Sequence, residues 1–250
     1  MNISVITPTV RPEGLELVAK ALSRQTWDDF EWLICSPAEP EPVFIEGMAG
    51  RWIPDDFEGG FWSLNRAYNK LFKEAQGELI VSLQDWVYVL PEGLEKFWYQ
   101  YNATGGVITG VGDQYDRLGP DGKPINKVWE DPRKTDKYGS FYLCNWEDIE
   151  WNWAAIPREA IFEAGGMDEQ LDFLGYGGDQ LQLMERINAL RYKTYIDQSN
   201  ESFTLRHDRS KHGGEAKWNA NHILFNGEYD KRKKELIEAG TWPRLDYLAN

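Results

Sequence analysis

Residues 1–90 alternate between two kinds of apolar pattern, and this alternation restricts the fold more than any other feature of the chain. ISVITPT (3–9), FEWLICS (30–36) and ELIVSLQD (78–85) are short, nearly continuous apolar runs, as expected of strands covered on both faces. Between them, GLELVAKALSRQ (14–25) places Leu15, Val18, Ala19 and Leu22 at helical spacing. SLNRAYNKLFKEAQG (63–77) does the same with Leu64, Ala67, Tyr68, Leu71 and Phe72, opening on a Ser cap and closing on Gly. Residues 37–60, rich in Pro, Glu and Gly, read as loop with a short strand at VFIEG or GRWI. The repetition predicts an α/β fold with an open, mostly parallel sheet flanked by helices. Such sheets take ligands beyond the carboxyl ends of their strands, where Thr7 to Arg11, Ser36 to Glu39 and Gln84 to Trp86 fall.

The later sequence continues the pattern with longer polar interruptions. LPEGLEKFWYQY (90–101) reads as helix and VITGVGDQY (107–115) as strand. Residues 116–140 are polar around a PDG turn and read as a lid or acceptor loop. WNWAAIPREAIFEAGGMDEQ (151–170) reads as a strand, a Pro-initiated helix and a turn in which Gly165 and Gly166 supply positive φ. YGGDQLQLMERINALRY (176–192) reads as an amphipathic helix, and KTYIDQS (193–199) and SFTLRHD (202–208) as strands. No repeat or long linker divides the chain, so a single domain is expected.

A formal charge of −14 disfavours duplex nucleic acid, whose binding draws most of its affinity from neutralised phosphates. The 12 Trp, 12 Tyr and 11 Phe supply either a heavy core or a cleft for ring-shaped ligands. Cys35 and Cys144 form neither a disulfide framework nor a zinc pattern. There is no charged leader followed by an apolar run, and no long apolar span. The expectation is a cytoplasmic protein without integral membrane association.

The segment LIVSLQDWV sets one acid, Asp85, between Gln84 and Trp86 at the end of an apolar strand. A carboxylate there needs a pair, hydrogen bonds or a metal. Two readings stay open: a strand-end turn residue, or a ligand to something in a cleft.

Five segments in order resemble glycosyltransferase family 2 and its GT-A relatives over about residues 2–210: ISVITPTVRP, ALSRQTWDDFEWLI, SLNRAYNKLFKEAQGELIVSLQD, AAIPREAIFEAGGMDEQ and FLGYGGDQLQLMERINALRY. The resemblance implies a Rossmann-like GT-A fold. Residues 1–100 would be its nucleotide-sugar half, 101–210 its acceptor half and 211–250 a helical or loop extension. It also implies transfer of a sugar from a UDP- or GDP-sugar to an acceptor hydroxyl, with inversion. The acceptor would be a glycan or, with less support from the charge, a hydroxylated DNA base. The alternative is a catalytically inactive GT-A domain that binds a sugar or nucleotide.

The same resemblance places Thr7, Pro8, Thr9, Arg11, Ser36, Glu39, Asn65, Gln84, Asp85, Trp86 and Trp153 at the donor, with Trp86, Trp151 and Trp153 as ring platforms unless they serve only as core. It implies Mn2+ or Mg2+ held by Asp85 and His207, with His212 close behind and Arg206, Arg209 and Lys211 assisting. The family's paired acids are missing here, since Gln84 and Trp86 stand in their places. The Gly-Gly-acid-acid helix start becomes Gly177, Gly178, Asp179 and Gln180. Gln180 stands where the base is expected and cannot abstract a proton. Asp179 is then the base, an acceptor contact or simply a helix cap.

Overall fold

The computed structural model describes residues 1–41, 50–55, 62–120, 122–174, 179–207 and 227–249. Its centre is one mixed sheet. Four parallel strands form its first half: β1 (Ile3–Pro8), β2 (Phe30–Ser36), β3 (Gly50–Pro54) and β4 (Leu79–Leu83). The other half holds β5 (Val87–Val89), β6 (Val107–Leu118), β7 (Pro124–Trp129), β8 (Phe141–Leu143), β9 (Trp153–Pro157) and β10 (Thr194–Leu205). Along the sheet the order is β3-β2-β1-β4-β9-β6-β10-β5, with β7 on β6 and β8 on β10. β9 runs antiparallel to both β4 and β6, so β6 and β10 point the same way as β4.

The central strands β1, β2, β4 and β9 divide their side chains between two cores in alternation. Ile3, Val5, Trp32, Ile34, Leu79, Val81, Trp153 and Ala155 face one side. There they meet α1 (Leu15–Leu22) and α3 (Gly93–Thr104). Ile6, Leu33, Cys35, Ile80, Ala154 and Ile156 face the other. There they meet α2 (Leu64–Glu74), α4 (Arg158–Ala164) and α5 (Asp179–Ala189). Strands buried on both faces explain why the sequence shows continuous apolar runs rather than alternation with polar residues. One acid inside them, Glu31, is satisfied by the Ser4 hydroxyl at 2.6 Å and the Gln76 N–H at 2.8 Å.

The expected Ser cap of α2 is present: Ser63 Oγ accepts from the Arg66 N–H. Two expectations change. Residues 116–140 are not one loop, because β6 runs on to Leu118 and turns back into β7, with Gly119 N–H donating to Lys123 O at 2.7 Å. The two strands read at 193–199 and 202–208 are one, β10, with an irregularity between Asp197 and Glu201. The polar QSNE run looks like a break, yet Asn200 is fully buried there. Its amide donates to Gly93 O at 3.0 Å and its carbonyl accepts from Trp153 Nε1 at 3.0 Å.

Residues 227–238 form a further helix, α6. With the segment after it, α6 packs back on α4 and α5: Arg232 reaches Asp168 at 3.0 Å, Tyr247 OH donates to Asp168 at 2.9 Å, and Leu248 joins the core. Gly165 (φ +79°) and Gly166 (φ +83°) make the turn beneath, with the positive φ expected of them. Among the described residues no helix is long and apolar enough to cross a membrane.

Candidate functional site

Topology collects the site at one edge. β1 and β4 are neighbours, so Thr9 and Asp85 emerge side by side at their carboxyl ends. α2 runs back against the strands, which brings its start, Trp62 to Leu64, to that same edge. α5 does likewise. Lys193, just after it, bonds Val107 at the opposite edge of the sheet, and 11 helical residues rise roughly 16 Å from there. The backbone of Asp179 is therefore on the Asp85 edge. Its side chain lies outside the described residues.

Thr9 is tied down by its N–H to Cys35 O at 2.9 Å, and the chain then turns sharply. Arg11 N–H donates to Thr9 Oγ1 at 2.8 Å, and a 3-10 turn, Pro12–Gly14, leads into α1. This turn aims the Arg11 guanidinium at Asp85. Nη2 donates to Oδ1 at 2.5 Å and Nε donates to Oδ2 at 3.0 Å. Thr9 Oγ1 also donates to Oδ2. The Asp85 side chain is 3% exposed and that of Arg11 12%. Asp85 is thus a fully engaged carboxylate at the rim, which answers the cost of placing an acid there. Pro8, Trp62, Leu64 and Gln84 complete a small cleft around the pair.

The next residue is under strain. Trp86 adopts φ +61°, which a bulky side chain rarely takes and which costs of order 1–3 kcal/mol. It is held from both sides: its carbonyl accepts from Leu205 N–H at 2.9 Å, and its ring lies over His207 with centroids 6.0 Å apart. Its indole packs so closely on Gly14 that a Cβ there would sit 2.6 Å from Trp86 Cδ1 and 2.9 Å from its backbone N. Gly14→Ala is therefore expected to displace Trp86 and slacken the Asp85 turn. The check is loss of near-ultraviolet circular dichroism with far-ultraviolet ellipticity kept, and unchanged near-ultraviolet spectra would refute it.

Other residues singled out in the sequence take different places. Thr7 is sealed inside, donating to Leu83 O at 2.7 Å and accepting from Trp32 Nε1 at 2.9 Å. Ser36, also buried, donates to Ala38 O at 2.6 Å, while Glu39 is exposed. Asn65 is buried and donates to Asp168 O at 3.2 Å, joining the start of α2 to the acidic turn. Trp153 is 1% exposed, with its ring centroid 4.5 Å from that of Phe97. Trp151 is 2% exposed and packs edge-on to Tyr68. What both contribute in this structure is core. Gln180 is half-buried at the start of α5. His207 Nδ1 donates to Leu205 O at 3.2 Å, and Arg206 is exposed. Gly177, Gly178, Arg209, Lys211 and His212 lie outside the described residues.

Two features of this edge escaped the sequence reading. Trp62 lines the cleft; its signal was an aromatic immediately before the cap of a helix that starts at the ligand edge. Asp55, just past β3, holds Arg66 in a two-pronged pair at 3.1 and 3.2 Å and donates its N–H to Ser36 O. Burial pushes the Cys35 thiol up to about 12 and the Cys144 thiol up to about 11, which disfavours the thiolate at both. On the β6 side, burial acts to raise the Asp131 carboxyl, but hydrogen bonds from Arg133 and Gly112 N–H prevail and it lies below the usual range. A wider, open depression beside β8 and β10 is lined by Thr135, Asp136, Gly139, Ser140, Gln198 and Ser199. It holds no cluster that could perform chemistry.

Among the described residues the donor set does not fit a divalent cation as it stands. Both Asp85 oxygens are taken, Gln84 and Trp86 bring no second carboxylate, and His207 is stacked on Trp86. Among the described residues no three His, Cys, Asp or Glu side chains gather as a metal set. Mn2+ or Mg2+ on Asp85 would have to share the carboxylate with the guanidinium, and the two like charges disfavour that arrangement.

No family model and no curated protein matches this sequence. Solved structures do match its fold. GalNAc-T7 with UDP, GalNAc and Mn2+ aligns at TM-score 0.65 and 13% identity, over 92% of this chain and 49% of that one. S. aureus TarS aligns at TM-score 0.60 and 13% identity, over 82% of this chain and 37% of that one. TarS 1–349 in complex with UDP aligns at 0.58 and 12%, over 82% and 61%. The chain thus spans less than two thirds of the length of each. At such identities the likeness concerns architecture alone. In architecture the chain is a single mixed α/β domain with a largely parallel sheet, like that of these GT-A-like glycosyltransferases.

Proposed function

We propose that the protein moves a sugar from a nucleoside-diphosphate sugar, linked to UDP or GDP, to an acceptor hydroxyl. The observation that carries this reading is the Arg11–Asp85 pair opening into a cleft at the carboxyl ends of β1 and β4, on the edge where α5 begins. Two of the solved neighbours are complexes containing UDP, which supports a uridine donor. The resemblance to inverting enzymes favours direct displacement, with the acceptor oxygen attacking the anomeric carbon opposite the departing diphosphate. Asp179, first residue of α5, takes the acceptor proton in this reading, since the Gln180 amide cannot. The acceptor is a glycan hydroxyl rather than a hydroxylated DNA base, given the −14 charge.

The test is release of nucleoside diphosphate from a panel of UDP- and GDP-sugars, with a mixture of glycan acceptors, in Mn2+ and in EDTA. Release is expected with at least one donor, and Asp179→Asn is expected to slow it about a hundredfold or more without weakening donor binding. Binding without turnover for every donor and acceptor would instead identify a sugar- or nucleotide-binding module, the reading that the missing acid at position 180 favours.

A further inference from the structure

We infer that Arg11, locked by Asp85 and Thr9, is the resident cation for the donor's diphosphate, and that the site binds nucleoside diphosphate without a divalent metal. The inference rests on the donor reading above and names which N–H groups meet that donor's phosphate oxygens. A guanidinium carries five N–H groups in a rigid plane. Asp85 uses one on Nε and one on Nη2, leaving the second Nη2 hydrogen and both on Nη1, and Nη1 makes no hydrogen bond among the described residues. Arg11 is the more exposed partner, at 12% against 3% for Asp85, and it lines the cleft. Both partners line the cleft, and the Arg11 donors that Asp85 does not use are available to a ligand there.

Three further observations agree. A bare carboxylate beside a diphosphate repels it, and the two-pronged pair cancels that charge. Pro8, Val10, Trp62 and Leu64 make part of the walls apolar, and next to such surfaces charged hydrogen bonds to phosphate oxygens gain strength. The fork is also fixed in advance: Thr9 Oγ1 accepts from Arg11 N–H and donates to Asp85, so one hydroxyl clamps backbone and carboxylate together. Little side-chain freedom remains to be lost when phosphate arrives. Asp85 acts here as a positioning residue, not as a ligand to the donor.

Calorimetric titration of UDP and GDP into the full chain tests this, in EDTA and in Mn2+, with Arg11→Lys and Arg11→Gln alongside. At least one diphosphate should bind with affinities within about twofold in the two buffers. Arg11→Gln should weaken it roughly thirtyfold in both, and Arg11→Lys should fall between, keeping the charge but not the fork. Binding only in Mn2+ overturns the inference while leaving the donor reading intact. Arg11→Gln binding as tightly as the parent overturns it too. No binding of either diphosphate in either buffer removes both. If Arg11→Gln fails to fold by near-ultraviolet circular dichroism, Arg11→Lys decides: no weakening in a folded protein counts against the inference.

Discussion

Asp85→Ala should lower the free energy of unfolding by about 3–5 kcal/mol in a urea titration followed by tryptophan fluorescence. The cost does not measure the worth of the pair. It reflects a guanidinium, 12% exposed, left at the rim without its partner, and a Thr9 hydroxyl left without its acceptor. Asp85→Asn should cost less, about 1–3 kcal/mol, because one oxygen still accepts from Arg11. Adding Arg11→Leu to Asp85→Ala should recover much of the loss, since removing both charges removes the stranded one. A loss under about 1 kcal/mol for Asp85→Ala would show the pair to be screened like a surface ion pair.

Gly165→Ala should destabilise by about 3 kcal/mol or more, read as the shift in denaturant midpoint at unchanged slope. Two costs add. Gly165 sits at φ +79°, where an L side chain loses about 1–2 kcal/mol. A Cβ there also runs into the main-chain carbonyl of Leu245, which is backbone and cannot rotate away. Overpacking of this kind typically costs about 1–3 kcal/mol. The damage should fall on the docking of the last described segment, where Leu245 N–H donates to Ala164 O at 3.0 Å. Limited proteolysis should therefore cut within 227–249 faster than in the parent. Equal stability and equal cleavage would mean that this segment yields at no cost.

The first half of the fold was legible because its strands are buried on both faces and its helices on one. These are the two patterns that periodicity separates best. The Ser63 cap marked the start of α2, whereas its end falls at Ala75, before the Gly77 on which the sequence reading closed it. The short strands β5 and β8, three residues each, were not legible, since three residues carry no period. β10 looked divided because its polar middle is satisfied by partners distant in sequence: Gly93 and Trp153 for Asn200, Thr135 and Gly139 for Gln198.

At the site, the sequence placed Asp85 at a strand end and Arg11 at another. It did not show that they meet, because the contact spans 74 residues and depends on β1 and β4 being neighbours. Trp153 illustrates the converse: an aromatic beside polar residues looks the same whether its N–H faces a ligand or, as here, Asn200.

Around Asp168 the chain makes a junction with a consequence for synthesis. Its carboxylate is wholly buried and accepts from Gln170 N–H, Arg232 and Tyr247, and its carbonyl from Asn65. Only Gln170 is near in sequence. While the polypeptide emerges from the ribosome, β1 to β4 and α2 can assemble before the Arg and the Tyr exist. Until then the acid must stay hydrated, and the turn that carries it cannot settle. The edge bearing the start of α5 is then among the last parts to set, as expected of contacts that close long stretches of chain.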